Sequence, residues 1–411
     1  MTGLVNAARA GRFAAVVSLA VAMLACQERL TAPGECPELC PGGSPAVFDT
    51  VLNPVPLSDS SIAGYVGRGS GIALLVSNGL PAANARAVYR FTARGDSVPL
   101  RDTLRAYTID SVAIGLTISA RDTLLDGLKL FLFQMPQELP VDSNLTFAQV
   151  EPLLTTDNLI DSILVADTLN AGQVRTTLRG TDLEKVAIPP GTGGVLSLAV
   201  AIGAPVATGV RLGSAAGTNA ATFTTYVTLD VPDTGAVGRQ SLTPSVAFNT
   251  FVRETTVEPD TTLITLGGEP SSRALLRFDL PPKLGDSATI VRATLELIPV
   301  EPILGLERAP AVLQARAVLA DLGAKSPVST DERILVSDTV SSGSADTVRL
   351  DVTPIVQFWQ AAAERPEALS LTLQPEAATF TRAVFGSTRQ PASSPPRLRI
   401  TYLVSFPFEN P

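Results

Sequence analysis

Short runs of alternating apolar and polar residues fill the chain from Val47 onward. Val112, Ile114, Leu116 and Ile118 alternate with Ser111, Ala113, Gly115 and Thr117. Ala293, Leu295 and Leu297 alternate with Arg292, Thr294 and Glu296. The same period appears in Val348, Leu350 and Val352, and again in Leu398, Ile400 and Tyr402. A period of two puts every second side chain on one face, so each run predicts a strand with one dry and one wet face. Clusters of Gly, Pro, Asp, Asn and Ser separate the runs, and no regular βα alternation intervenes. Many such strands joined by turn residues predict antiparallel sheets packed as a sandwich or barrel.

Two copies of one plan follow each other. Ala87-Val88-Tyr89-Arg90-Phe91 matches Ala274-Leu275-Leu276-Arg277-Phe278. Ile109 to Ile114 matches Ile290 to Leu295, and Ile163 to Thr168 matches Ile334 to Thr339. Val195-Leu196-Ser197-Leu198 matches Ala368-Leu369-Ser370-Leu371. The order is kept while the offsets drift between runs, as loop insertions would cause. The boundary falls near Pro232 to Leu242, where Asp, Gly and Ser dominate. One helix is expected among the strands: Val352, Ile355, Val356 and Trp359 recur at helical spacing, and Ala361-Ala362-Ala363 continues a good helix former. Pro354 suits the first turn, Thr353 or Asp351 can cap it, and Pro366 ends it.

The N-terminus has a different texture. Arg9 and Arg12 precede an uncharged, largely apolar run from Phe13 to Ala25, and Cys26 follows. The apolar run is shorter than the ~20 residues of a membrane-spanning helix, which reads as a secretory signal. The Met23-Leu24-Ala25-Cys26 junction resembles the lipobox of bacterial lipoproteins, which implies diacylation of the Cys26 thiol and cleavage before it. Each buried CH₂ contributes ~0.8 kcal/mol, so two or three acyl chains, palmitate among them, make a durable anchor. Gln27 beside the lipidated cysteine resembles the pattern of outer-membrane sorting. Residues 26–46 carry Pro33, Gly34, Pro37, Pro41, Gly42, Gly43 and Pro45, the texture of a tether. Cys36 and Cys40 remain once Cys26 carries lipid. An oxidising envelope favours a local disulfide between them, two free thiols being the alternative. Two sulfurs without further ligands do not close a tetrahedral metal shell.

Composition removes several function classes. The chain of 411 residues holds 31 basic against 39 acidic residues, a net charge of -8, and shows no basic cluster. Nucleic-acid binding therefore lacks its electrostatic footprint. There is no histidine, which excludes Ser-His-Asp and Cys-His mechanisms and most zinc hydrolase designs. Carboxylate chemistry, Lys- or Tyr-based schemes and oxygen-ligated calcium survive that test.

The second half resembles the DNRLRE domain family. The resemblance is carried by Ala274 to Leu280, Ala288 to Leu297, Val348 to Thr353 running into Trp359, and Pro396 to Tyr402. It covers roughly residues 244 to 404, and the hexapeptide that names the family is absent. The resemblance implies jelly-roll-like β-sandwiches of bacterial secreted and surface proteins, some of them carbohydrate-binding modules. The expected fold is therefore all-β, with two tandem jelly-roll-like antiparallel β-sandwiches and a short helix in the second. The expected organisation is a signal peptide (1–25), tether (26–46), first sandwich (47–231), linker (232–243), second sandwich (244–404) and tail (405–411).

Candidate chemistry is sparse. Trp359 is the only tryptophan, and it shares a helical face with Val352, Ile355 and Val356, so core packing is the reading ahead of sugar stacking. Stacking residues for a glycan would come from Tyr65, Tyr107, Phe131 or Phe133. Gly95-Asp96-Ser97 and Gly285-Asp286-Ser287 stand before matched strands, where turns are wanted, and no histidine serves either serine. Asp157, Asn158 and Asp161, or Glu258 and Asp260, could offer oxygens to a structural calcium, but their spacing matches no defined loop. No cofactor or metal site is expected, and no ligand-binding residue is singled out. The expected function is a non-catalytic, lipid-anchored envelope protein, a binding or structural module with glycan as the ligand that the resemblance implies. Its partners are then the membrane, through the lipid, and a polysaccharide or another envelope protein. The rivals are a polysaccharide-acting enzyme using carboxylate or Tyr/Arg chemistry and a protein scaffold of the outer membrane.

Cys26→Ser is expected to abolish acylation and move the protein from the membrane fraction to the soluble fraction. A mature wild-type protein whose intact mass shows no acyl group on its first residue would contradict the anchor.

Overall fold

Strands form where the alternation places them, and their hydrogen bonding builds antiparallel β-sandwiches with few, short helices. The structure is a computed structural model describing residues 47–80, 84–100, 102–187, 194–217, 219–229, 238–254, 260–268, 270–285, 288–390 and 394–404. Cys26, Cys36, Cys40, the signal peptide, the tether and the tail 405–411 lie outside the described residues, as do Glu258, Asp286 and Ser287. Among the described residues no helix is long and apolar enough to cross a membrane.

The strands run in chain order as follows. The first are β1 (Val47–Leu52), β2 (Ser60–Ala63), β3 (Ala73–Asn78), β4 (Ala85–Phe91), β5 (Ser97–Leu100) and β6 (Thr103–Arg121). Next come β7 (Lys129–Gln134), β8 (Leu159–Leu164), β9 (Gly172–Leu178), β10 (Ser197–Gly203), β11 (Thr208–Gly213) and β12 (Thr222–Leu229). Then follow β13 (Gly238–Leu242), β14 (Val246–Arg253), β15 (Ile264–Gly267), β16 (Ser272–Arg277), β17 (Ala288–Leu297) and β18 (Ala311–Val318). The last are β19 (Thr330–Val340), β20 (Val348–Asp351), β21 (Ala368–Gln374), β22 (Arg382–Phe385) and β23 (Arg397–Val404).

The two sandwiches share one connectivity. In the first, β9-β6-β12-β13 forms one layer and β8-β7-β10-β4-β14 the other, with β3 and β11 joining them. In the second, β20-β17-β23-β1 and β19-β18-β21-β16-β2 take those roles as two separate sheets. There β15 and β22 continue the second sheet beyond β16 and, among the described residues, only the single bridge Pro299↔Phe385 leads towards β17. Even the weak point is repeated: β3 meets β4 only at Ser77↔Ala85, and β15 meets β16 only at Gly267↔Ser272. Each repeat match in the sequence lands on equivalent strands: β4 with β16, β6 with β17, β8 with β19 and β10 with β21.

Membership departs from chain order at the ends. β4 has β10 on one side and β14 on the other; β16 has β21 on one side and β2 on the other. The first sandwich is thus the continuous stretch 73–253, set between β2 and β15 of the second. The expected blocks 47–231 and 244–404 follow chain order, whereas pairing takes 47–63 into the second sandwich and 238–253 into the first. The reason is backbone satisfaction, because a strand inside a sheet needs partners for both of its rows of N–H and C=O groups.

Each sandwich closes on its own core. Val112, Ile114, Leu116 and Ile118 of β6 meet Leu130 and Leu132 of β7, Tyr89 and Phe91 of β4, and Phe223 of β12. The second core gathers Ala293, Leu295, Leu297, Leu398, Ile400 and Tyr402 against Leu276, Leu313, Leu371 and Leu373. Phe380, from the second half, packs into the first core. Its ring explains Gly209 on β11, where a Cβ would stand 2.7 Å from the Phe380 ring. The outer side of the β7-β10-β4-β14 layer is also covered. Val88, Phe133, Ala199 and Val252 pack there against Met135, Val141, Leu145 and Val150 of the crossover to β8.

The helix Thr353–Gln360 forms as its periodicity requires, with Ile355, Val356 and Trp359 buried. Asp351 Oδ1 accepts the Thr353 N–H at 3.1 Å, and Thr353 Oγ1 accepts the Ala293 N–H at 2.8 Å, which fixes the entry. The expected continuation through Ala363 stops at Gln360, and Arg365 donates to the Phe358 carbonyl at 2.7 Å beyond the last turn. Trp359 is 3% exposed, and its ring centroid lies 6.1 Å from that of Phe278.

Trp359→Ala is expected to cost ~3 to 5 kcal/mol through lost transfer energy and a residual cavity. Trp359→Phe should cost less, because Nε1 is buried without a partner and the change removes that donor. Native emission should be blue-shifted and resist iodide, and a red-shifted, readily quenched emission would place the ring outside the core. Residues 73–253 expressed alone should melt cooperatively as a β protein. Residues 244–404 alone should melt below the second sandwich of the full chain, and fusing 47–66 should restore them. Equal melting with and without that fusion would contradict the strand assignment.

Candidate functional site

The outer face of β9-β6-β12-β13 is the one broad sheet face of the first sandwich left uncovered by a crossover. Alternation sets what it displays. Val174 and Leu178 of β9 point inward, so Arg175 and Thr177 point outward, and Arg179 follows on the same side. Phe223, Val227 and Leu229 of β12 are buried, which turns Thr224, Tyr226 and Thr228 out. Between these strands β6 contributes Ser111, Ala113 and Gly115, a floor of small residues. A Cβ at Gly115 would stand 2.5 Å from Thr222 Oγ1, so a larger residue there would have to turn that hydroxyl aside.

A cleft of about 820 Å³ opens on this face, lined from β6 by Asp110 and Ser111 and flanked by Arg175, Arg179, Tyr226 and Arg239. Gly115 is opposite Arg175 in the β6–β9 register, and Ser111 is opposite Tyr226 in the β6–β12 register. Arg175 reaches across the floor. Its Nη2 donates to the Tyr226 hydroxyl at 2.8 Å, and its guanidinium carbon lies 6.0 Å from the centre of that ring. Tyr226 is still 38% exposed. On the far side Arg239 of β13 stands 3.8 Å from Asp110, whose Oδ2 also accepts the Thr228 hydroxyl at 2.7 Å. Three arginines (175, 179 and 239) thus surround a single carboxylate in the lining, with Ser111, Thr177, Gln240 and Ser241 adding neutral donors and acceptors.

That arrangement can bind a planar or anionic group. Guanidinium forks match carboxylate and phosphate oxygens and stack on flat faces, and an exposed tyrosine face suits the apolar side of a sugar ring. Among the described residues no group of three or more Cys, Asp or Glu side chains could hold a metal ion.

The residues named from the sequence lie elsewhere. Trp359 is in the second core. Tyr65 donates to the Ala324 carbonyl and lies under the Arg273 guanidinium, 4.8 Å from ring centre to Cζ. The Tyr107 hydroxyl donates to the Gly95 carbonyl at 2.6 Å. Phe131 and Phe133 sit 6.4 Å apart against the crossover. Gly95-Asp96-Ser97 is the turn that starts β5, as expected. Asn158 donates to the Leu153 carbonyl at 2.8 Å, Asp161 accepts from Ser162 N–H at 2.7 Å and from the Thr176 hydroxyl, and Asp260 accepts the Thr262 N–H at 2.8 Å. The Asp161 and Asp260 oxygens are thus engaged in local hydrogen bonds, while Asn158 bonds through its nitrogen. Tyr89 is fully buried, donates to the Gly213 carbonyl at 2.9 Å, and has its pKa pushed up by desolvation. Sequence reading missed Arg175, Arg179 and Tyr226. Their signal was the alternation itself, since Arg175-Thr176-Thr177-Leu178-Arg179 sets two arginines on the wet face of one strand.

No family model matches the chain, and no curated protein matches it. Among solved structures the chain is similar to the infectious bursal disease virus VP2 subviral particle, at 10% identity over 88% of this chain and 78% of that one. The TM-score is 0.13, at which the likeness carries no argument about fold or function.

Proposed function

We propose that the protein is a non-catalytic lipoprotein of the cell envelope whose first sandwich holds an anionic glycan in the cleft between Arg175 and Tyr226. The anchor is Cys26, and the outer membrane is the location that Gln27 favours. One observation carries the ligand reading: three arginines and an exposed tyrosine line one cleft, in a chain whose net charge is -8. The net negative charge repels anions at long range, so a cationic cleft on this protein is a local feature. Asp110 is the one carboxylate among the described lining residues. Acid–base hydrolysis of glycosides uses a pair of carboxyls ~5 to 9 Å apart, and a binding role needs no such pair.

Binding is measured by titrating residues 45–411 with polygalacturonate and, in parallel, with neutral dextran. Polygalacturonate should bind and dextran should not, with affinity falling as salt rises. Arg175→Gln and Tyr226→Ala should each weaken binding about tenfold or more, as central arginine and tyrosine anchors do. Equal affinity for both polymers, or variants that bind like the wild type, would overturn the assignment.

A further inference from the structure

The second sandwich receives β1 and β2 from a segment that precedes the whole first sandwich, and it holds them in an unusual way. Neither strand contains a buried residue. Across residues 47–63 only Pro54 and Asp59 are buried. The equivalent strand in the first sandwich, β14, buries Asn249, Thr250, Phe251 and Val252. The second slot is therefore filled by a segment held through specific polar contacts with little apolar burial.

Those contacts are numerous and particular to this segment. Phe48 stacks on Tyr402 with centroids 5.6 Å apart, and Asp49 Oδ1 accepts the Thr401 hydroxyl at 2.6 Å. Val55 N–H donates to the Arg277 carbonyl at 2.8 Å, and Arg277 Nη1 donates to the Ser58 carbonyl at 2.9 Å. The buried Asp59 carboxylate accepts both the Thr388 N–H, at 2.7 Å, and the Thr388 hydroxyl. Thr265 N–H donates to Ser61 Oγ at 2.6 Å. Hydrogen bonds of this kind contribute a net ~1 kcal/mol each, and they re-form in water when the segment lifts, whereas buried apolar groups lose their burial outright.

We propose that residues 47–65 are an exchangeable strand donor, and that the edges of β16 and β23 accept the same segment from a second copy of the chain. The partner is a second copy because the acceptor reads Phe48, Asp49, Asp59 and Tyr65 one by one, and only this segment supplies that set. Contacts within and between chains are identical, so the balance is set by concentration against the link formed by residues 66–72, whose turn Arg68–Ser70 packs on β14. A short link gives an effective concentration of the order of mM, so exchange between chains grows as copies crowd to that level. The inference is independent of the glycan reading and of the cleft.

The test uses residues 45–411, which hold every described residue and none of Cys26, Cys36 and Cys40. Asp49→Cys with Thr401→Cys places a thiol on the donor and one on its acceptor. Folded isotopically heavy and light proteins are mixed, incubated, oxidised and separated without reductant. At low concentration the disulfide should form within chains. Towards about 1 mM disulfide-linked dimers should accumulate, and half of them should pair heavy with light. Disulfides that stay within chains at every concentration would overturn the proposal, and so would failure of the two thiols to join at all. Because the cysteine pair could disturb folding, the unsubstituted heavy and light chains are also mixed at the same concentrations, chemically cross-linked and weighed intact. Absence of heavy–light dimers there would overturn it as well.

Discussion

An inner strand of a sheet has two rows of backbone groups to satisfy, and the fold of this protein is arranged around that requirement at two positions. β4 and β16 carry the matched sequences Ala87 to Phe91 and Ala274 to Phe278, and each lies between two long-paired neighbours. Near-complete pairing of buried N–H and C=O groups is the rule, and a bare inner edge invites aggregation. The chain meets the requirement differently in the two copies. β14 follows the first body directly, bringing Phe251 into the core and Val252 under the crossover on the outer side. The second body borrows β2 from the N-terminal segment and secures it with Asp59, Ser61 and Arg277.

The same architecture decides which surfaces are free to act. The outer side of the β4 layer is closed by the crossover carrying Val141, Leu145 and Val150. On the outer side of β16 the sheet residues Leu275, Val318 and Ala368 form a small buried cluster where Gly323–Val328 packs on β16 and β21. Arg273 reinforces that second cover, bidentate to Glu376 at 2.8 Å and donating to the Pro327 carbonyl at 2.7 Å. Arg277 pairs with Asp321 beside it and holds that carboxyl below the usual range. With those faces occupied, the β9-β6-β12-β13 layer of the first sandwich presents the cleft. β6 contributes Asp110 and Ser111 to its lining, between the strands that carry Arg175 and Tyr226.

Much of this was legible in the residues. Period-two runs located β6, β17, β20 and β23, and the repeat paired the right strands because equivalent core positions ask for similar side chains. Helical spacing placed Trp359 correctly in the second core. Strand membership was not legible, because the segment that completes the second sandwich is polar and buries almost nothing, leaving no apolar pattern to match. The cleft escaped for a related reason. Arg175, Tyr226 and Arg239 come from three strands spread over 65 residues, and only the β6 registers bring them over one floor. Single aromatic residues in sequence order pointed instead to Tyr65 and Tyr107, whose hydroxyls bond backbone carbonyls.

The central claim is that residues 47–63 complete the second sandwich while the first is complete without them. Amide hydrogen exchange on the chain beginning at Gly67, compared with the chain beginning at residue 45, addresses it most directly. The account predicts lost protection along β16 and β23, where β2 and β1 have gone, with β4 and β12 exchanging as slowly as before. Unchanged protection on β16 and β23, or an equal loss on β4 and β12, would contradict it.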